Sequence, residues 1–272
     1  MTQPAAVVLT DVPVELFWTL AEHSEALLRE YALRGFGDST QPYDSDAIGR
    51  AGNAIAALNT CMTAAVTPGD DRDRVVARLD LGTVTAADFG LLQGVLDDAS
   101  VLAASGELLA FPPLPEIRAL RDWLCEETIG QSAGATSRPW ELPLEATPLV
   151  QTPLAEWREL AALPPDGSWM VGDDHNRIIG ASDTVLTMLG WSRDDLVGQR
   201  IISIIPPRLR ERHIVGFTRG LLSGVNTLLG HSLPLFALHR DGSEIPVVLV
   251  LTKHTTHTGR AVYLAQLTAA DG

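Results

Sequence analysis

The sequence predicts two domains of different class: an all-α helical bundle in the first half, and an α+β domain with one antiparallel sheet in the second. In the first half, apolar residues recur every three or four positions over long stretches, as in amphipathic helices. The second half instead has short apolar runs separated by Gly-containing turns, as in strands joined by hairpins. The 272 residues are enough for two domains with cores of their own.

The acidic charge is concentrated in the first half. The formal net charge is −14; residues 1–150 carry 22 acidic and 9 basic side chains, and residues 151–272 carry 12 and 11. An acidic surface repels nucleic-acid phosphates, so we expect no direct nucleic-acid binding. No run of 18 apolar residues and no basic signal-peptide start occurs, and Cys61 and Cys125 stand apart. The expectation is a cytoplasmic bacterial protein that does not associate with membranes.

The helical bundle is predicted over residues 11–130. Apolar stripes indicate helices from 14 to 33 and from 45 to 62, and "DDRDRVVARLDLG" (70–82) is interpreted as a shorter third helix. Thr85 and Asp88 form a capping-box pattern at the start of a fourth helix. Pro115 begins the last helix, since proline suits a first helical turn.

A linker and a short helix are predicted to follow the bundle. Residues 131–153 are rich in Gly, Ser, Thr and Pro, the composition of a linker, although Trp140 is expected to dock on a neighbour. Residues 154–164 then form a short amphipathic helix, which Pro164 and Pro165 end. The α+β domain is predicted over residues 165–268.

The second domain has the pattern of strand, turn, strand, helices and three more strands. "SWMVGDDHNRIIGAS" (168–182) is predicted as two strands around a tight turn at Asp174–Asn176. A long helix runs from Pro207 to Gly224. Strands follow at 228–239, 244–252 and 260–267, and Asp241–Gly242 supplies a hairpin turn between the first two.

These residues resemble a PAS domain of the S-box type. The resemblance rests on Gly190–Trp191, on Leu196–Val197–Gly198, and on Arg240–Asp241–Gly242 with Pro246 downstream. It implies a five-stranded antiparallel sheet of order 2-1-5-4-3 flanked by short helices, and a ligand cleft between the sheet and the long helix. It also implies homodimerisation through the preceding helix. The first half resembles, without a defining motif, helical modules that precede PAS domains in bacterial signalling phosphatases and ATPases.

The candidate ligand cleft is drawn from one helix face and two strands. On the long helix, positions 209, 213, 216, 217 and 220 share a face, and the glycines leave room beside the histidine. Apolar strand residues complete the predicted lining, which consists of Leu209, His213, Gly216, Phe217, Leu233, Leu235, Val248 and Val250. These strands either line a pocket for an apolar small molecule or fill the core.

His213 has two possible roles, as a haem ligand or as a packing residue. The pattern resembles haem-PAS oxygen sensors, whose proximal histidine follows a proline by seven residues, as His213 follows Pro206; it would then be a haem iron ligand. Leu233, however, stands where those sensors place an arginine that contacts oxygen. The alternative is a buried histidine in a satisfied hydrogen bond. A flavin cysteinyl adduct is excluded, because residues 151–272 contain no cysteine. His254 and His257 are interpreted as loop histidines rather than zinc ligands.

We find no motif of a nucleotide-binding, hydrolase or metalloprotease enzyme, so the chain is not expected to be an enzyme. Phosphotransfer would need an exposed histidine; His23 is interpreted as a solvated-face residue instead. The leading hypothesis is a dimeric signalling protein whose PAS domain senses a small ligand and relays the signal to the bundle or to a regulatory protein. The alternatives are an interaction adaptor without a ligand in a partner-switching pathway, and a haem-dependent gas sensor.

Overall fold

The computed structural model describes residues 6–37, 44–66, 73–82, 84–157, 167–225 and 227–270. The chain divides into two compact units, residues 1–151 and 152–272.

The first unit is mainly helical, as predicted. Its elements are β1 (Val7–Pro13), α1 (Val14–Gly37), α2 (Ser45–Ala65), β2 (Arg74–Leu79), α3 (Ala86–Ala104) and α4 (Pro115–Ser132). The helices bury apolar stripes against one another, with Phe17, Phe89, Leu92 and Leu120 among the fully buried side chains. The capping box is present at the start of α3, where the Thr85 N–H donates to Asp88 Oδ2 at 2.6 Å.

The predicted third helix is wrong. Residues 74–79 form β2, which pairs antiparallel with β1, so that Val7 lies opposite Leu79 and Val12 opposite Val75. Val75, Ala77 and Leu79 are buried in alternation with more exposed residues, which is the period of a strand. Six residues are too few for the two periods to be separated reliably by pattern alone.

Part of the predicted linker packs on the first unit. The backbone N–H of Trp140 donates to the Thr10 carbonyl at 3.1 Å. The Gln131 side-chain amide bonds to both the backbone N–H and the carbonyl of Val8. Trp140 is buried, and its ring centroid lies 5.7 Å from that of Trp123. It therefore packs against a neighbour, as the sequence predicted. Residues 154–157 are not helical, and the rest of the predicted connecting helix lies outside the described residues.

The second unit contains the predicted antiparallel sheet. Its strands are β3 (Trp169–Asp173), β4 (Ile178–Ala181), β5 (Ser232–Leu238), β6 (Glu244–Thr255) and β7 (Ala261–Ala269), and they lie in the order β4-β3-β7-β6-β5. Numbered within this unit, that is the order 2-1-5-4-3. The helices α5 (Asp183–Leu189), α6 (Arg193–Leu196) and α7 (Arg210–Ser223) lie between β4 and β5 in the chain. The predicted fold class is confirmed.

Candidate functional site

The two faces of the sheet have different coverings. One face, called the inner face, packs Ala237, Val247, Ala265 and Leu267 against α5 and α6 in a buried apolar cluster. The other, called the outer face, buries Val171 and Val262 beneath Ala155 and Trp157, which precede β3 in the chain. The inner face is therefore the one that a cleft beneath α7 would use.

The strand register places the β5 and β6 residues of the predicted cleft lining on opposite faces of the sheet. Leu233 pairs with Leu249 and Leu235 with Val247, so both leucines of β5 point to the inner face. Val248 pairs with Pro234, and Val250 with Ser232. The prediction that Val248 and Val250 line the cleft is therefore wrong, because successive residues of a strand point to opposite faces.

The inner face of β5 and β6 remains partly open. Leu233, Leu249 and Leu251 are half-buried, and 36% of Leu235 is exposed. These four leucines form a contiguous apolar surface, since cross-strand neighbours on one face lie side by side. We call them the leucine surface.

The buried side of α7 differs from the predicted stripe. Ile214, Val215, Thr218 and Leu221 are its buried residues, whereas Gly216 is exposed and Leu209 is half-buried in a 3-10 turn that precedes α7. The prediction that Gly216 faces the cleft is wrong. The larger apolar side chains occupy the inward side and so set the rotation of the helix.

Phe217 and His213 nevertheless face the sheet at its β3–β4 end. The Phe217 ring lies 6.1 Å from the His213 ring in a stacked arrangement, and 5.4 Å from Tyr263 in an edge contact. Tyr263 lies on the inner face of β7, opposite Gly172 of β3. These aromatic side chains connect α7 to the inner face.

His213 is held by a residue that the sequence did not single out. Its Nε2 lies 2.9 Å from Oδ1 of Asn176, a fully buried residue with φ +59° in the β3–β4 turn. Desolvation, with the nearby Arg200 charge, lowers the pKa of His213 to about 4, so the ring is neutral at neutral pH. The Asn176 Nδ2 atom and the Thr218 hydroxyl are buried without a hydrogen-bond partner.

This arrangement does not fit a haem iron ligand. Nε2 is the nitrogen that would reach iron from a helix, and it is engaged by Asn176. The predicted alternative, a buried histidine in a hydrogen bond, agrees with the contact. The function proposed below therefore does not involve haem.

A family model described as PAS fold matches residues 155–267. The match contains β3 to β6 and all but the last two residues of β7, and the five strands lie in the order that the resemblance implied. Residues 155–267 form a PAS domain. This assignment supports a role in signal transduction.

One sequence relative is an uncharacterized protein of Azorhizobium caulinodans. It is 29% identical over 97 residues, which are 35% of this chain and 13% of that protein. This chain thus matches only a small part of the length of that relative.

Several solved PAS-domain structures are similar to this chain. One from Desulfitobacterium hafniense is 18% identical, with a TM-score of 0.31, over 39% of this chain and 93% of its own. An HTR-like protein of Haloarcula marismortui matches at 18% identity and a TM-score of 0.31, over 39% of this chain and 82% of its own. A PAS domain from a two-component sensor histidine kinase matches at 13% identity and a TM-score of 0.31, over 38% and 85%.

Carboxylates and arginines surround the β3–β4 turn of the PAS domain. Asp173, Asp174 and His175 bring three potential metal-ligand atoms within 4.8 Å of one another, as no other group does among the described residues. Both carboxylates form ion pairs with arginines: Arg177 Nη2 lies 2.9 Å from Asp173, and Arg260 contacts Asp174. Burial opposes ionisation of Asp174, yet hydrogen bonds from His175 and Arg260 keep its pKa below the usual value. The turn is an ion-pair cluster.

The same arginines hold the segment that precedes the PAS sheet. Arg177 Nη1 donates to the Thr152 carbonyl at 2.9 Å, and Arg260 Nη1 donates to the Pro153 carbonyl at 2.7 Å. Four residues later, Trp157 Nε1 donates to the Ile179 carbonyl at 2.8 Å. We call residues 152–157 the connector.

His23 of the first unit is buried rather than solvated, so that interpretation is wrong. Only 3% of the residue is exposed, and its Nε2 lies 2.9 Å from the Phe111 carbonyl. Desolvation lowers the pKa of His23 to about 4. A buried and engaged nitrogen does not suit in-line attack on a phosphoryl group.

Among the described residues, no helix is long and apolar enough to cross a membrane.

Proposed function

We propose that the PAS domain is a non-catalytic sensor, in a cytoplasmic bacterial signalling protein, that binds a small and mainly apolar molecule. The observation that carries this proposal is the leucine surface on the inner face, which helices α5 and α6 leave partly uncovered. Burying exposed apolar area contributes roughly 25 cal/mol per Å², so a ligand that fits there gains affinity from the leucines.

The ligand is expected to carry one hydrogen-bonding group. The aromatic contacts lead from α7 to His213 and Asn176, where Asn176 Nδ2 lacks a partner. A buried polar group without a partner costs about 1–3 kcal/mol, so an acceptor on the ligand would recover that cost. The ligand class is therefore an apolar body with one acceptor oxygen or nitrogen.

A melting experiment tests this function. The full chain is heated with a panel of alkanols, alkyl ketones and indole, and binding is expected to raise the melting temperature of the PAS unit. At a concentration one hundred times Kd the gain is about 2.7 kcal/mol. Leu233→Trp, which fills the inner face, should abolish the gain; Val250→Trp, on the outer face, should retain it.

A panel that leaves the melting temperature unchanged, or an effect that survives Leu233→Trp, would contradict the sensor. The first result would favour the alternative adaptor, which has one supporting observation: much of the inner face is already filled by buried side chains.

The relay is proposed to run from the PAS domain through the connector to the acidic first unit or to a regulatory protein partner. Homodimerisation through residues 154–164 stays a prediction, although residues 154–157 do not form the predicted helix. A second surface suited to another copy is the open part of the outer face, where Pro234 and Phe236 are exposed beside Val248 and Val250.

A further inference from the structure

The β3–β4 turn contacts both α7, through His213, and the connector, through Arg177. Within five residues it contains Asn176, which bonds to His213 of α7, and Asp173, whose carboxylate binds Arg177. Asp173 Oδ1 also accepts the backbone N–H groups of His175 and Arg177, each at 3.0 Å. Because one carboxylate fixes both the turn backbone and the arginine, the turn and the arginine cannot move independently.

Arg177 reaches the connector from this turn. Its Nη1 donates to the Thr152 carbonyl at 2.9 Å and its Nη2 to the Pro153 carbonyl at 3.1 Å, while Asp173 orients the guanidinium. Arg177 is half-buried and Asp173 is fully buried, so the ion pair between them is shielded from water, whereas the bond to the Pro153 carbonyl lies at the surface.

Arg260 reaches the connector from the β6–β7 hairpin. Its Nη1 donates to the Pro153 carbonyl at 2.7 Å, and the rest of its guanidinium donates to the Asp174 carboxylate. Burial, with the charge of Asp174, raises the pKa of Tyr263, the residue that Phe217 touches. The second arginine is thus tied to the same turn and to the same end of the cleft.

The connector is packed so that a small displacement changes its environment. Trp157 lies on Gly180 of β4, where an added Cβ would come within 2.7 Å of the indole ring. Its N–H donates to the Ile179 carbonyl. The indole is therefore a built-in reporter of where the connector lies.

We propose that Arg177 and Arg260 are the positioning residues that couple the ligand site to the connector. The proposal rests on the sensor function proposed above and deepens it. A ligand that bonds to Asn176 or displaces His213 moves the turn; Asp173 and Asp174 carry that movement to the two guanidinium groups, and these shift the Thr152 and Pro153 carbonyls.

The test uses the indole N–H of Trp157 in the full chain and needs no ligand. The chain has six tryptophans, and Trp157→Phe assigns the resonance in a ¹⁵N-labelled sample. Asn176→Gly removes the side chain that contacts His213 while keeping a residue that accepts the positive φ of the turn. In the wild-type background, Asn176→Gly is expected to shift the Trp157 resonance. Its exchange with water should rise roughly tenfold, the size of one lost hydrogen bond between neutral groups.

In the background of Arg177→Gln with Arg260→Gln, Asn176→Gly is expected to cause no further shift. Arg193→Gln is the matched control, because Arg193 bonds to Asp183 and to the Ala181 carbonyl of the same unit and makes no described contact with the connector. Gly180→Ala is the positive control, since it displaces the indole directly.

An unchanged Trp191 resonance shows that each variant is folded, whereas Trp169, whose ring lies 5.4 Å from that of Trp157, is expected to shift with it. If the double variant unfolds, the single Arg260→Lys variant replaces it. An equal response to Asn176→Gly in both backgrounds, or no response in the wild type, would overturn the coupling. The melting experiment is independent of this one: ligand binding without a Trp157 response refutes the coupling alone, whereas a panel without binders refutes the sensor alone.

Discussion

Gly190→Ala is expected to destabilise the PAS domain by about 2–5 kcal/mol. Gly190 ends α5 with φ +71°, a left-handed conformation that costs an alanine about 1–2 kcal/mol. An added Cβ would also lie 2.2 Å from His239 Nε2 and 2.5 Å from its Cε1, so the whole ring must move. His239 is held in place by its backbone bond to Ser243 and by Asp241. Chemical denaturation, followed at the Trp191 indole, measures the loss.

Gly216→Ala is the matched control for this substitution. Gly216 is exposed in the middle of α7, and nothing lies within 4 Å of an added Cβ. Alanine there should stabilise the helix by about 0.5–1 kcal/mol. Adding His239→Ala to Gly190→Ala should remove the steric clash and restore that part of the lost stability. The cost of the left-handed backbone conformation for alanine should remain. Equal stabilities for the two glycine variants would mean that the packing of Gly190 against His239 is absent in solution.

Asp173→Ala is expected to cost about 3–5 kcal/mol, because it leaves a half-buried arginine and two turn N–H groups without their acceptor. Asp173 is fully buried and accepts from the His175 N–H, the Arg177 N–H and the Arg177 guanidinium. Urea denaturation of the full chain checks this value.

Asp183→Ala removes a comparable ion pair at the surface. Asp183 bonds to Arg193 at 2.8 Å, but 93% of its side chain is exposed, so its loss should cost less than about 1 kcal/mol. If the two aspartate variants lose similar stability, the turn does not have the buried network on which the proposed coupling depends.

Local signals were sufficient for much of the fold. The Thr85–Asp88 capping box, Pro115 at the start of α4 and the Asp241–Gly242 turn each depend on neighbours within four residues, and each occurs where the sequence predicts it. The order of the PAS sheet followed from resemblance rather than from any single local signal.

The residues that were misassigned, or that no sequence signal singled out, depend on partners distant in the chain. His23 is covered by Phe111, 88 residues away, and Arg260 reaches Asp174 across 86 residues. Val248 was assigned to the wrong face because alternation gives two faces without saying which is inner; only pairing with β5 and β7 decides. Asn176 carried one available signal, an asparagine in a tight turn, which indicates a positive φ but not its contact with His213.

The most direct measurement of the central claim is the Trp157 indole spectrum of the full chain as a ligand from the melting panel is added. We expect a saturable shift of this resonance in the wild type, at the concentrations that raise the melting temperature. We also expect loss of the shift in Arg177→Gln with Arg260→Gln, although the ligand still binds. A ligand that stabilises the PAS domain while the Trp157 resonance stays fixed in the wild type would show that the two arginines do not couple the ligand site to the connector.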